Sequence, residues 1–314
     1  MPTSMRTDDP LWPRAGAWIR PLSDGEHEGD FALLGVPAHA HSISPSSADT
    51  TPAAVREALF GYSLYSASSD VDLTRVRAVD LGDVSGPDEA GGEERIVSAA
   101  RDAAARFPLV VALGGDNSIT CPLMRGCMDA LPGEWGLITI DAHYDVRDGN
   151  TNGSPVRRLI EEAGLPGPHV VQIGIGDFSN SPAHALRAHE HGMTVFTRSS
   201  LRDSDLAEVA TEALRIAGHG GRQVYVDIDV DVCDRAAAPA CPSAAPGGLS
   251  AHELRYLAGL LSADQRVRAV DITEVDAAAD APDGRTVRLA ALIVLEIAAG
   301  VALRAPGWRP PEIT

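Results

Sequence analysis

The chain has 314 residues, 44% of them apolar, with Gly and Pro scattered along its length, which implies a sizeable buried core and excludes long disorder. Its formal net charge of −18, from 44 acidic and 26 basic residues, argues against nucleic acid and anionic membranes as partners, because the Lys and Arg residues are dispersed and form no basic stripe. Cys121, Cys127, Cys233 and Cys241 show no C-x-x-C spacing, residues 1–20 lack signal-peptide order, and no run is read as approaching the roughly 18 apolar residues of a membrane span, so a reduced, cytoplasmic setting is expected.

Residues 1–28, rich in Pro, Asp and Gly, read as an arm, 29–304 as a single catalytic domain and 305–314 as a tail. The first strand is expected at 31–36, closed by Pro37, followed by an irregular loop over 39–51 and a helix over 53–60 with Pro52 at a favourable first-turn position. A strand at 76–81, a helix at 94–106 and a strand at 109–113 that ends in Gly114-Gly115 come next. Further short apolar runs lie at 136–140, 170–175, 194–197, 223–228 and 267–272, separated by helical stretches at 183–191, 206–217 and 251–261. Short apolar strands alternating with helices predict a three-layer α/β/α fold with a mainly parallel central sheet covered on both faces.

Several strand runs end directly in polar or acidic residues: Leu113 in Gly-Gly-Asp-Asn, Ile140 in Asp141-Ala-His143-Tyr-Asp145, Ile228 in Asp229-Val-Asp231 and Ile272 in Thr-Glu274-Val-Asp276. Parallel α/β sheets bind ligands at the carboxyl ends of their strands, so these segments are expected to converge on one crevice. Alternate residues of an extended segment point to one side, which aims Asp141, His143 and Asp145 from one motif and Asp229 and Asp231 from the other. A single D-x-D at a strand end is commonly a cap or a solvated rim. Two such motifs on separate strands would bury a cluster of unpaired carboxylates, which is costly without a cation. Carboxylates with one imidazole suit Mn²⁺ better than structural zinc, and two cations sharing carboxylates depress the pKa of a bridging water.

Over residues 31–303, Gly114-Gly115-Asp116-Asn117-Ser118, Asp141-Ala-His143-Tyr-Asp145, Asp229-Val-Asp231-Val-Cys-Asp234 and Glu274-Val-Asp276 resemble, in order and spacing, the ureohydrolase family of arginases, agmatinases and formimidoylglutamases. The resemblance implies an arginase-like fold, two Mn²⁺ ions per chain, homo-oligomeric assembly and hydrolysis of a C–N bond in a small amidine or guanidine. It implies that Asp141 and Asp229 bridge the ions, that Asp145 completes one site, and that His143 and Asp231 complete the other. Glu274 would pair with the cationic amidinium, and Asp116 and Asp234 would support the ligands or cap turns. Asn117 stands where most of the family has a histidine ligand; a neutral amide holds metal more weakly, so the ion beside it is expected to be loosely bound.

The segments Asp145-Val-Arg147, Thr151-Asn152-Gly153-Ser154-Pro155, Phe178-Ser179-Asn180-Ser181, Ala238-Pro239-Ala240-Cys241-Pro242 and Pro246-Gly247-Gly248-Leu249 are similar to the formimidoylglutamase branch. That likeness implies hydrolysis of N-formimidoyl-L-glutamate to L-glutamate and formamide. Arg147 would be a forked donor to a substrate carboxylate, Asn152, Ser154 and Asn180 hydrogen-bonding partners, and Asp145 the acid that protonates the leaving amine. Two other readings are a guanidino-compound hydrolase that releases urea and a metal-poor, non-catalytic binding homologue. His39 and His41 are expected to face solvent.

Overall fold

A computed structural model describes residues 9–22 and 29–304. Eleven strands appear among them: β1 Arg20–Pro21, β2 Phe31–Val36, β3 Tyr65–Ser66, β4 Val71–Asp72, β5 Ala78–Asp83, β6 Val110–Gly114, β7 Trp135–Ile140, β8 Val170–Ile175, β9 Thr194–Thr197, β10 Gln223–Asp229 and β11 Val267–Thr273. The α-helices are α1 Ala15–Trp18, α2 Thr51–Leu59, α3 Gly92–Arg106, α4 Thr120–Ala130, α5 Pro155–Glu161, α6 Pro182–Glu190, α7 Arg198–Leu201, α8 Leu206–Ala217, α9 Ala251–Ser262 and α10 Arg285–Leu303. Local chemistry marks several starts. Pro182 opens α6 behind a Ser181 cap, and Ser250 and Glu253 form a reciprocal capping box at α9.

Nine strands make one sheet in the order β1-β5-β2-β6-β11-β10-β7-β8-β9, and all its pairings are parallel, while β3 and β4 form a separate antiparallel pair. Every residue of β2, β6, β7 and β8 is buried, as strands covered on both faces require. Period-two alternation divides their side chains. Leu33, Val111, Ile138, Val226 and Val270 pack with α2, α8, α9 and α10 on one face; Leu34, Val110, Leu137, Tyr225 and Ala269 pack with α3, α4 and α5 on the other. After β6 the chain crosses to β7, and β10 and β11 later fill the gap between them. That reversal of strand order opens a crevice at the carboxyl ends of the four central strands.

Three features differ from the expected elements. The segment expected as an arm carries α1 and β1 within residues 9–22, and β1 pairs with β5 at the sheet edge, because a two-residue extended segment can pair without an apolar signature. The rest of that arm, 1–8 and 23–28, and the tail 305–314 lie outside the described residues. The strand expected at 76–81 begins at Ala78 and runs to Asp83.

The third is a correction. By length and composition α10, with a mean hydropathy of 2.0, is apolar enough to cross a membrane, contrary to the expectation that no run comes close. Yet 72% of the apolar window is buried, and the helix packs on α9 and α2 as a core helix. A helix apolar on most sides lacks the one-sided stripe that marks amphipathic helices, which is why periodicity does not reveal it.

Helices α3 and α4, which cover one face of the sheet, approach closely at Gly126. A Cβ there would stand 2.3 Å from the Val97 carbonyl oxygen and 2.7 Å from Ala100 Cβ. Gly126→Ala is therefore expected to lower stability by about 1–3 kcal/mol through overpacking, seen as a lower urea midpoint at unchanged slope. An unchanged midpoint would mean that the two helices separate at no cost.

Candidate metal centre

The four central strands β6, β11, β10 and β7 deliver the acidic motifs to one place. A cavity of about 180 Å³ beyond their carboxyl ends is lined by His143, Asp145, Asp229, Asp231 and Glu274, with Arg147, Asn152, Asn180 and His184 around it. A larger open groove of about 1150 Å³, lined by Arg75, Phe107, Pro108, Arg268 and Arg304, lies at the amino ends of the strands and gathers none of the motif residues.

Asp141 and Asp229 end their strands with side chains on the same face, and each carboxylate folds back onto the chain. Asp141 Oδ1 accepts from the His143 amide at 2.6 Å, and Asp229 Oδ1 from the Asp231 amide at 2.8 Å. The loop 141–145 is further pinned by Asn180, which accepts from the Tyr144 amide at 3.1 Å and donates to the Ala142 carbonyl at 2.8 Å, and by Gln172, which donates to the Tyr144 carbonyl. The result places His143 Nδ1 3.0 Å from Asp231 Oδ2 and 3.5 Å from Asp141 Oδ1. One ligand atom from each of Asp141, His143 and Asp231 lies within 4.8 Å of the others.

Asp145 and Asn117 sit on the other side of the cluster, where Asn117 Nδ2 donates to Asp145 Oδ2 at 2.6 Å. Glu274 is fixed by three contacts: its amide donates to the Gly115 carbonyl at 2.9 Å, and its Oε1 accepts from the Asn117 amide at 2.8 Å and from Asn152 Nδ2 at 2.9 Å. Gly115 itself lets the chain pass close against Ala38, since a Cβ there would lie 2.0 Å from the Ala38 carbonyl oxygen. Asp145 and Glu274 both adopt left-handed backbone, φ 54° and 64°, an unfavourable conformation for such residues that concentrates at functional sites.

The remaining motif residues divide. Asp116 is fully buried, with Oδ1 accepting from the Ser118 amide, whereas Asp234 caps the loop after β10 by accepting from the Ala236 and Gly247 amides. Asn152 accepts from the Ile43 amide and Asn180 spends both ends of its amide on the 142–144 loop, so both orient the cavity wall. Ser154 is fully buried in its own turn against Thr151 and does not line the cavity. His39 is half exposed and pairs with Asp88 at 3.1 Å, and His41 faces Asn150. Sequence reasoning passed over His184, Ser243, Ile43 and Ser44, which also line the cavity; none carries a motif signal.

The electrostatics ask for a cation. Burial pushes the Asp141 carboxyl up to about 6 and that of Glu274 up to about 8, and it raises Asp145 and Asp229 well above the carboxylate range, with neighbouring charges adding to each. Burial pulls His143 down, but Asp231 and Asp141 outweigh it and hold the imidazole protonated, pushed up to about 12. Asp141 Oδ2 and Asp231 Oδ1 are buried without a hydrogen-bond partner among the described residues. Unsatisfied buried carboxylate oxygens around one imidazole are a donor set that fits a divalent cation of the Mn²⁺ type.

A folded-state pKa above the unfolded one means that the folded chain binds more protons there. The stabilising contribution is full below the unfolded value and lost as pH rises through the folded one. For Asp141 and Glu274 that window runs from about pH 4 upward through about 6 and about 8. His143 acts with the same sign. The thermal midpoint of chelator-treated protein should therefore fall between about pH 5 and about pH 8.5, and added Mn²⁺ should reverse the fall. Equal midpoints at both pH values would show that the cluster carries no such strain.

Residues 29–300 match the family described as the arginase family. The formimidoylglutamase of Halalkalibacterium halodurans is 35% identical over 294 residues, covering 90% of this chain and 91% of that protein. The crystal structure of formimidoylglutamase from Bacillus subtilis superposes with a TM-score of 0.89 at 31% identity, covering 98% of this chain and 97% of that one. Trypanosoma cruzi formiminoglutamase, solved with Mn²⁺, shares the fold at a TM-score of 0.86 and 24% identity over 94% of this chain and all of that one. The parallel sheet, the carboxylate cluster at its crevice and these matches together establish that this chain belongs to the arginase family.

Proposed function

We propose that this protein is a manganese-dependent formimidoylglutamase that hydrolyses N-formimidoyl-L-glutamate to L-glutamate and formamide. The observation that carries the choice of substrate is Arg147. Its side chain lines the same cavity as the carboxylates, and it makes no ion pair among the described residues, whereas Arg56, Arg158, Arg187 and Arg255 are each committed to acidic partners. An unpaired guanidinium beside a carboxylate cluster suits a substrate with an amidinium at one end and a carboxylate at the other. It disfavours a guanidino compound with a cationic tail. Relatives that bear the formimidoylglutamase name, at 35% and 33% identity, support the same reading.

Asp141, Asp145, His143, Asp229 and Asp231 would hold two Mn²⁺ ions, with Asn117 beside the weaker of them. Bound there, such ions would supply Lewis-acid chemistry that activates a water near neutral pH. Glu274 orients the amidinium toward the carboxylate cluster, and the contacts from Asn117 and Asn152 keep the Glu274 carboxylate from turning away. Arg147 holds the carboxylate end. As the C–N bond breaks, Asp145 passes the proton given up by the attacking water to the departing glutamate nitrogen. The cysteines are all unpaired and buried, which suits the cytoplasmic setting proposed for the enzyme. Homo-oligomeric assembly is part of the same proposal, and a solution mass equal to a single chain in light scattering would remove it.

The deciding measurement is product analysis with N-formimidoyl-L-glutamate and Mn²⁺, in parallel with a panel of guanidino compounds. Formamide and glutamate are expected. Urea alone would overturn the substrate assignment, and no product from any compound would point to a binding homologue. Arg147→Gln should raise KM about tenfold to a hundredfold with a smaller change in kcat, and Glu274→Gln should lower kcat/KM by at least that factor. An Arg147→Gln enzyme with unaltered KM would detach this residue from the substrate.

A further inference from the structure

A second polar layer lies directly beneath the carboxylate cluster. Asp271 in β11, Asp227 in β10 and Thr139 in β7 are register neighbours across adjacent strands and are fully buried, each two residues before Thr273, Asp229 or Asp141 on the same face of the sheet. The Tyr225 hydroxyl donates to Asp271 Oδ2 at 2.8 Å, and Thr120 Oγ1 lies 2.8 Å from the same oxygen. Thr120 Oγ1 is also 2.8 Å from Asn117 Oδ1, which Thr273 Oγ1 approaches at 3.1 Å.

A threonine hydroxyl has one proton, and Thr120 has two oxygen neighbours that want it. Given to Asn117, it fixes the amide carbonyl toward Thr120 and leaves Nδ2 to donate to Asp145, the arrangement seen here. Given to Asp271, it makes a charge-assisted bond and offers Asn117 only a lone pair, which the amide meets with its NH₂. Thr273 is likewise able to accept or donate. A half-turn of the amide about its Cβ–Cγ bond thus satisfies the threonine side equally well, and it presents Oδ1 beside the Asp145 carboxylate. Two such oxygens tolerate each other when a cation lies between them.

We propose that Thr120, backed by Asp271 and Tyr225, is a positioning residue whose reversible hydroxyl lets the Asn117 amide turn over, offering nitrogen to Asp145 in one setting and oxygen to a divalent cation held with Asp145 in the other. The inference rests on the metal-centre reading above. It makes the weaker ion depend on a hydroxyl that touches no metal.

Calorimetric titration with Mn²⁺ and electron paramagnetic resonance of the loaded protein test it. The wild-type chain should bind two ions and give a spin-coupled spectrum. Thr120→Val should weaken the second ion about tenfold to a hundredfold and leave the six-line spectrum of isolated Mn²⁺, whereas Thr120→Ser should restore the coupled signal. In an Asn117→His background, which has no amide to turn, Thr120→Val should have little effect. If the valine variant fails to fold, Thr120→Ala, which adds no bulk, takes its place. Second-ion binding unaltered by Thr120→Val, or weakened equally in the histidine background, overturns the proposal while leaving the proposed function intact. A wild-type chain that binds a single ion also overturns it, and one that binds none overturns both.

Discussion

The crowding of negative charge at the carboxyl ends of four adjacent strands governs the rest of the structure. Asp141, Asp145, Asp229, Asp231 and Glu274 are all buried, and His143 is the cationic side chain set among them. Ionised carboxylates in a low-dielectric interior repel one another and forgo solvation, so they stay charged only when cations are bound between them. Parallel pairing enforces the crowding: Asp229 faces Thr273 in register, β10 and β7 align just below Asp141, and alternation sends these side chains to one face.

Holding such groups still falls to peptide amides and carboxamides rather than to arginines. Asn180 and Gln172 pin the loop after β7, while Asn152 and the Asn117 amide hold Glu274, so the carboxylates are oriented without being neutralised. The loop after β11 is tied into the body of the protein as well: Thr51 donates to the Val275 carbonyl, and Asp276 accepts from the Ser47 amide while its own amide donates to the Ala240 carbonyl. These ties offset the backbone strain at Asp145 and Glu274, on the order of 1–3 kcal/mol for each left-handed residue. The Arg147 side chain, which makes no ion pair among the described residues, is left as the cavity's unpaired guanidinium.

Much of this was legible in the residues. The expected strands from 31–36 to 267–272 lie where β2, β6, β7, β8, β9, β10 and β11 form, because a strand buried on both faces must be a short apolar run, and the acidic motifs announce their ends. The likeness of Gly114–Ser118, Asp141–Asp145, Asp229–Asp234 and Glu274–Asp276 to the arginase family agrees with the match over residues 29–300. Less visible were α10, whose apolar surface runs nearly all round, and β1, which is too short to carry a pattern. Ser154 looked like a polar contact but spends its hydroxyl on its own turn.

By itself the sequence determined the alternation of strands and helices, the set of metal-compatible side chains and the family, since these follow from local periodicity and residue chemistry. Tertiary structure alone decided which ends of each amide face the cluster, that Asp271 and Asp227 lie beneath it, that Arg147 stays unpaired, and that Glu274 is held between Asn117 and Asn152. Those outcomes depend on contacts between residues far apart along the chain, from 28 positions for Asn117 and Asp145 to 157 for Asn117 and Glu274. Periodicity and spacing along the chain carry no information about such pairs until the strands are laid side by side.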